Sequence, residues 1–189
     1  MMPRPDAFDL LRTTFERVGI RYAVGGSWAS TAFGDPRFTN DVDVVVEFGE
    51  ESLSAFLDAL PSEFYVDAEE AVNALSRGRS FNVIHMPSVL KFDLFPSRAF
   101  PLGVEELDRA LSLEDTGLSK SPARFVTPED ILLAKLHWFR SGREISEVQW
   151  RDIQGIVRGC AAGFDRGYLE YGAAKLGVLD LLHRALSEE

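Results

Sequence analysis

Asp41 and Asp43 stand two residues apart in Asp41-Val42-Asp43-Val44-Val45-Val46-Glu47, a β-branched run that predicts a strand. Alternation along a strand puts Asp41, Asp43 and Val45 on one face and Val42, Val44 and Val46 on the other. The two carboxylates then lie about 6.5–7 Å apart along the strand axis. Acids on one face of a valine-rich strand are costly unless something positive sits between them. A divalent cation with oxygen ligands meets that need. Magnesium is the usual ion when phosphates complete its shell, with manganese as the alternative. An edge strand with solvated aspartates is the plainer reading of these two residues alone.

Three further features bear on the choice. Gly25-Gly26-Ser27 follows Tyr22-Ala23-Val24 at a strand-to-helix turn, where unpaired N–H groups and the helix dipole favour an anion. The glycines let backbone approach phosphate oxygens and the Ser27 hydroxyl adds a donor; a glycine pair at a tight turn is the alternative. In Lys91-Phe92-Asp93-Leu94-Phe95, Asp93 shares a face with Lys91 and Phe95. It either pairs locally with Lys91 or joins Asp41 and Asp43 across a sheet, completing the three carboxylates a two-metal site uses; the second reading is favoured. Lys135 falls on the apolar stripe of Ile131, Leu132 and Phe139, where it either snorkels or reaches an anionic ligand. Asp152, flanking Ile153 and Val157, is placed to pair with it. Arg37 and Thr39 precede the acidic strand, within reach of phosphates.

The elements that must position these groups follow from periodicity and breakers. Residues 6–18 predict an amphipathic helix closed by Gly19, and Ser27 predicts the cap of a helix to Phe33. After the Asp41–Glu47 strand come a helix over 51–60, a short strand at 64–66 and a helix over 69–75. Strands at 81–85 and 89–95 join through Met86-Pro87-Ser88 as a hairpin. Residues 98–118 give no clear element, and 124–126 predict a strand. Thr127-Pro128-Glu129-Asp130 then opens a helix to Arg140, ended by Gly142. Ser146-Glu147-Val148-Gln149 opens another to about Arg158, and segments near 166–175 and 177–187 complete the chain. The organisation is an α/β core over 1–126 and a helical region over 127–189, packed on or beside that core.

Composition narrows the classes. The 189 residues carry a formal net charge of −10, so any nucleic-acid footprint must be local; Arg140, Arg143, Arg151 and Arg158 lie in the one mildly basic stretch. No apolar run is long enough to cross a membrane and no signal-peptide core follows Met1, which predicts a cytoplasmic protein with no membrane partner. Cys160 is the single cysteine, and its apolar neighbours predict a small buried residue rather than a nucleophile. His85, His137 and His183 are not at metal-ligand spacing. Neither GxxxxGK[ST] nor GxGxxG is present.

The strand, glycine-glycine-serine turn and helix, the spacing to Thr39-Asn40-Asp41-Val42-Asp43, and the later Lys91–Phe95 strand resemble the nucleotidyltransferase superfamily typified by DNA polymerase beta. Its pattern is hG[GS], then [DE]h[DE]h, then a third acid on a later strand, and residues 20–96 carry it. Lys135 and Asp152 resemble the lysine and aspartate in the helical half of AbiEii-like nucleotidyltransferase toxins. The resemblance implies an α+β fold, a small mixed β-sheet flanked by helices with a C-terminal helical region. It implies metal-dependent transfer of a nucleoside monophosphate from an NTP, with Asp41, Asp43 and Asp93 on magnesium. Gly25, Gly26, Ser27, Thr39, Lys135 and Asp152 would bind the nucleotide, Lys135 also serving catalysis. The acceptor is open between a tRNA end, as in the toxins with their antitoxin partners, a small molecule of antibiotic type, and a protein. A non-catalytic member binding a nucleotide or partner protein, and a purely structural domain, are the rival readings.

Overall fold

The computed structural model describes residues 5–34 and 39–188. The chain begins with α1 (Pro5–Val18), which buries Phe8, Leu11 and Phe15 at helical spacing, and turns at Gly19 into β1 (Tyr22–Val24). Next come α2 (Gly26–Phe33), β2 (Asp41–Val46), α3 (Glu50–Ala59), β3 (Phe64–Tyr65) and α4 (Ala68–Ser76). The hairpin is present as β4 (Phe81–His85) and β5 (Leu90–Pro96), antiparallel with His85 opposite Leu90. The stretch that gave no clear element in the sequence holds α5 (Gly103–Arg109) and β6 (Leu111–Leu113). Then follow β7 (Ala123–Phe125), α6 (Pro128–Ser141), α7 (Glu147–Cys160), α8 (Arg166–Leu176) and α9 (Leu179–Ser187).

The seven strands form one mixed sheet in the order β3-β4-β5-β2-β1-β7-β6. The acidic strand β2 lies inside it, antiparallel to β1 and parallel to β5, not at an edge. Val42, Val44 and Val46 are fully buried and share their face with Phe92 and Leu94. Helices α1 and α3 cover that face: Phe8 lies 6.3 Å from Phe92, and Phe15 stacks between Tyr22 and Phe56 at 5.4 Å from each. The opposite face carries the aspartates.

Strand β7 returns the chain to the sheet beside β1, with Phe125 opposite Val24 and the Val126 N–H on the Val24 carbonyl. Thr127 then caps α6 through the Asp130 N–H, as its sequence predicts. Helices α6 and α7 pack on α2, and Leu132, Leu136, Ile153 and Ile156 belong to the same buried cluster as the strand valines. The approach of α7 to α2 requires glycine: a Cβ on Gly159 would fall 2.3 Å from the Phe33 carbonyl oxygen. Beside it the half-buried Cys160 donates its S–H to that same oxygen at 3.3 Å, and burial raises its pKa, so it is a packed thiol. Among the described residues no helix is long and apolar enough to cross a membrane.

Candidate active site

The pairing of β2 with β5 sets Asp43 directly opposite Asp93 and Asp41 opposite Lys91. Because the strands are parallel and in register, all four side chains emerge on one face. The Lys91 ammonium lies 3.1 Å from Asp93 and 3.6 Å from Asp41. The two alternatives open in the sequence therefore both hold: Asp93 joins the other aspartates across the sheet and pairs with Lys91 as well. Asp43 has no such lysine beside it. Burial pushes its carboxyl above the ordinary range, and repulsion from Asp93 and Asp41 adds to that, while Lys135 and the Ser27 backbone N–H pull the other way. A cation bound between Asp43 and Asp93 would relieve both burial and repulsion.

The glycine turn is built against this strand. The Gly25 N–H donates to the Asp43 carbonyl at 2.9 Å, joining the turn to β2. Gly26 has φ +54°, and a Cβ there would sit 1.7 Å from Asp43 Oδ2, so backbone conformation and space both demand glycine. The helix starts at Gly26 with Gly25 as its cap and no side-chain capping bond, which corrects the expectation that Ser27 caps it. Ser27 is instead in the first turn, with its backbone N–H on the Asp43 carboxylate. The positive end of α2 therefore points at the aspartates. A phosphate joining it would need a cation to screen it from Asp43.

The helical region closes the space above. Lys135 on α6 and Asp152 on α7 form the expected pair at 2.8 Å, their side chains only 13% and 16% exposed. They border a cavity of about 580 Å³ that also takes in Gly25, Gly26, Ser27 and Asp43. Val45 and Phe95, next along the aspartate face, line it too, as do Phe100, Glu106, Trp138 and Gln149. Thr39 is not among the lining residues; the Asp41 N–H donates to its hydroxyl at 3.2 Å, so it fastens the start of β2. Arg37 lies outside the described residues.

Sequence reasoning missed Phe100, Glu106 and Trp138. Phe100 and Glu106 lie in the stretch without a legible pattern, and Trp138 reads as an ordinary residue of an amphipathic helix. The histidines stay apart, as expected. His85 Nδ1 is 2.7 Å from Ser88 Oγ, His137 lies between the rings of Phe100 and Trp138, and His183 is exposed beside Glu170.

Among the described residues no three acid, histidine or cysteine side chains, Asp41, Asp43 and Asp93 included, are grouped closely enough to hold a metal ion together. Magnesium does not require three, since it is commonly held by one or two carboxylates with substrate phosphates completing an octahedron. Asp43 and Asp93, hard oxygen donors in register with mutual repulsion to relieve, fit that role, and Asp41 flanks them.

No protein-family model matches the sequence, and no curated protein does. Solved structures do. An antigenic nucleotidyltransferase-like protein from Paracoccidioides brasiliensis superposes with a TM-score of 0.58 at 19% identity, over 97% of this chain and 91% of that one. ANT(2")-Ia, solved in complex with adenylyl-2"-tobramycin, superposes with a TM-score of 0.51 at 13% identity, over 91% and 95%. At these identities the likeness is one of fold. The chain has a nucleotidyltransferase-type α/β fold, one mixed sheet flanked by helices.

Proposed function

We propose that the protein is a metal-dependent nucleotidyltransferase that moves a nucleoside monophosphate from an NTP to a small-molecule acceptor. The observation that carries this reading is Asp43, in register with Asp93 on the neighbouring strand, meeting the Gly25–Ser27 turn at the wall of one cavity. Asp41 and Asp43 would hold magnesium, or manganese, on the triphosphate, and Asp93 would complete a second metal position. The bound metal would supply charge neutralisation at the phosphates and a lowered pKa for the attacking hydroxyl. The acceptor oxygen forms a bond to the α-phosphorus as the bond from that phosphorus to the α–β bridging oxygen breaks. The hydroxyl proton passes to an Asp93 carboxylate oxygen, and pyrophosphate leaves. The positive end of α2 at Gly26 and Lys135 would neutralise the charge gathering on pyrophosphate, with Asp152 fixing the lysine in place.

Two observations support a small acceptor over a tRNA end. The cavity is roofed by α6 and α7, and the chain carries −10 overall, opposing a polyanion. The AbiEii-like resemblance of Lys135 and Asp152 supports the tRNA reading, with an antitoxin as partner. Calorimetry with magnesium and each NTP tests the donor side: wild type binds and Asp43→Ala does not. Equal binding by the two would sink the catalytic reading. Incubation with labelled NTP and either small alcohols and amino sugars or total tRNA then separates the acceptors. Label on tRNA alone would restore the toxin reading.

A further inference from the structure

The cavity has a second acid that the proposed transfer does not use. Glu106, on α5, is 4% exposed and lines the cavity, and among the described residues nothing hydrogen-bonds its carboxyl. With no protein donor on it, the Glu106 carboxyl opens onto the cavity, where a donor on a ligand can reach it. The charges acting on it are Asp130 and Glu105, both negative, and not the aspartates of β2 and β5.

We infer that Glu106 is the acceptor's anchor and that the acceptor is a cationic, amine-bearing small molecule whose ammonium group seats on this carboxyl. The inference rests on the proposed transfer for the word acceptor, but the binding site itself does not depend on it. Charge selects an ammonium over a neutral nucleobase edge. The ionisable residues lining the cavity are Asp43, Glu106 and Asp152 against Lys135, and Lys135 is already paired with Asp152. Beyond the lining, Asp130 and Glu105 face Glu106, each with a cation of its own, Arg109 at 3.4 Å and Lys175 at 2.6 Å, so the lining sets the sign of the charge. Trp138, also lining the cavity and 53% exposed, offers an aromatic face to the ring of a cyclic amine. Burial and those two acids hold the Glu106 carboxyl well above its ordinary range, and an ammonium seated on it pulls the other way, so binding favours release of the proton.

The experiment uses the full chain with neither metal nor nucleotide. Tobramycin, its per-N-acetylated neutral form, and spermidine are titrated by calorimetry at pH 6 in two buffers of different ionisation enthalpy. Wild type is expected to bind at least one of the two amines with proton release and to ignore the neutral form. Glu106→Gln should weaken the amine at least tenfold and abolish the proton release, while Glu69→Gln, on the exposed face of α4, binds it as wild type does. The inference is overturned if neither amine binds wild type, if Glu106→Gln binds equally, or if that variant loses MgATP affinity instead. Should Glu106→Gln not fold, Glu106→Asp takes its place: the shortened carboxylate should weaken the amine and spare MgATP, and equal amine binding refutes the role of Glu106. Amine binding without turnover on MgNTP would leave this inference standing and remove the transferase; transfer to a neutral alcohol without amine binding would do the reverse.

Discussion

Replacing Gly26 by alanine puts two separable costs on one atom. At φ +54° an L-residue is disfavoured by about 1–2 kcal/mol. The new Cβ also meets Asp43 Oδ2 at 1.7 Å and Asp43 Cγ at 2.5 Å, so the carboxylate must swing away. Doing so breaks its hydrogen bond from the Ser27 N–H, a bond to a charged group worth about 1.5–3 kcal/mol. The sum, about 2.5–5 kcal/mol, is a large part of the 5–15 kcal/mol or so that a domain has. The double-mutant cycle separates the terms. In an Asp43→Ala background the carboxylate is gone and only its Cβ, 2.8 Å away, remains. There the Gly26→Ala cost should fall by the lost hydrogen bond, a coupling of about 1.5–3 kcal/mol, and keep the backbone share together with the close contact to that Cβ. Urea unfolding of the four proteins, followed by far-ultraviolet circular dichroism, reads it directly. If Gly26→Ala costs the same in both backgrounds to within about 0.5 kcal/mol, the turn is not built against Asp43 and the site geometry argued above is wrong.

The remaining predictions are independent of that cycle. Glu106 holds its proton more tightly folded than unfolded, so wild-type stability should fall as pH rises from the ordinary 4.5 through the raised folded value; below 4.5 both states are protonated and nothing changes. Glu106→Gln should therefore gain on wild type in that window and match it at lower pH, as read by melting temperature against pH; a constant difference would refute the assignment. Lys91→Ala removes the cation between Asp41 and Asp93, and should lower the melting temperature in chelator while enlarging the upward shift on adding magnesium. An unchanged shift would mean that Lys91 and the metal do not compete for the same carboxylates. Tyr168 donates to the fully buried Asp130 at 2.5 Å, and Arg109 lies 3.7 Å over its ring. Tyr168→Phe should then cost about 1–3 kcal/mol by leaving that carboxylate short of a donor; urea denaturation showing no loss would place the stability of the α5–α6–α8 contact elsewhere.

Much of this was legible locally. The β-branched run of β2, the Met86-Pro87-Ser88 hairpin turn and the Thr127-Pro128 helix start are decided by residues within a few positions of each other, so sequence suffices for them. The alternation of β2 and β5 likewise set which side of each strand its aspartates would take. Which strand lies beside which is a matter of long-range pairing. Only the fold put β5 parallel to β2 with Asp93 opposite Asp43, and so decided that Lys91 would answer to Asp41 and Asp93 together. The need for glycine at Gly26 came from the Asp43 side chain packed against it, 17 residues away in sequence, which no local rule contains. Glu106 was invisible for the same reason: a short helix of mixed residues has no periodic signal, and its burial comes from the sheet and α6 closing around it. The sequence determined the chemical groups and the faces they occupy, because those depend on backbone periodicity. The tertiary structure alone decided their partners, because burial and charge act between residues the chain brings together only when it folds.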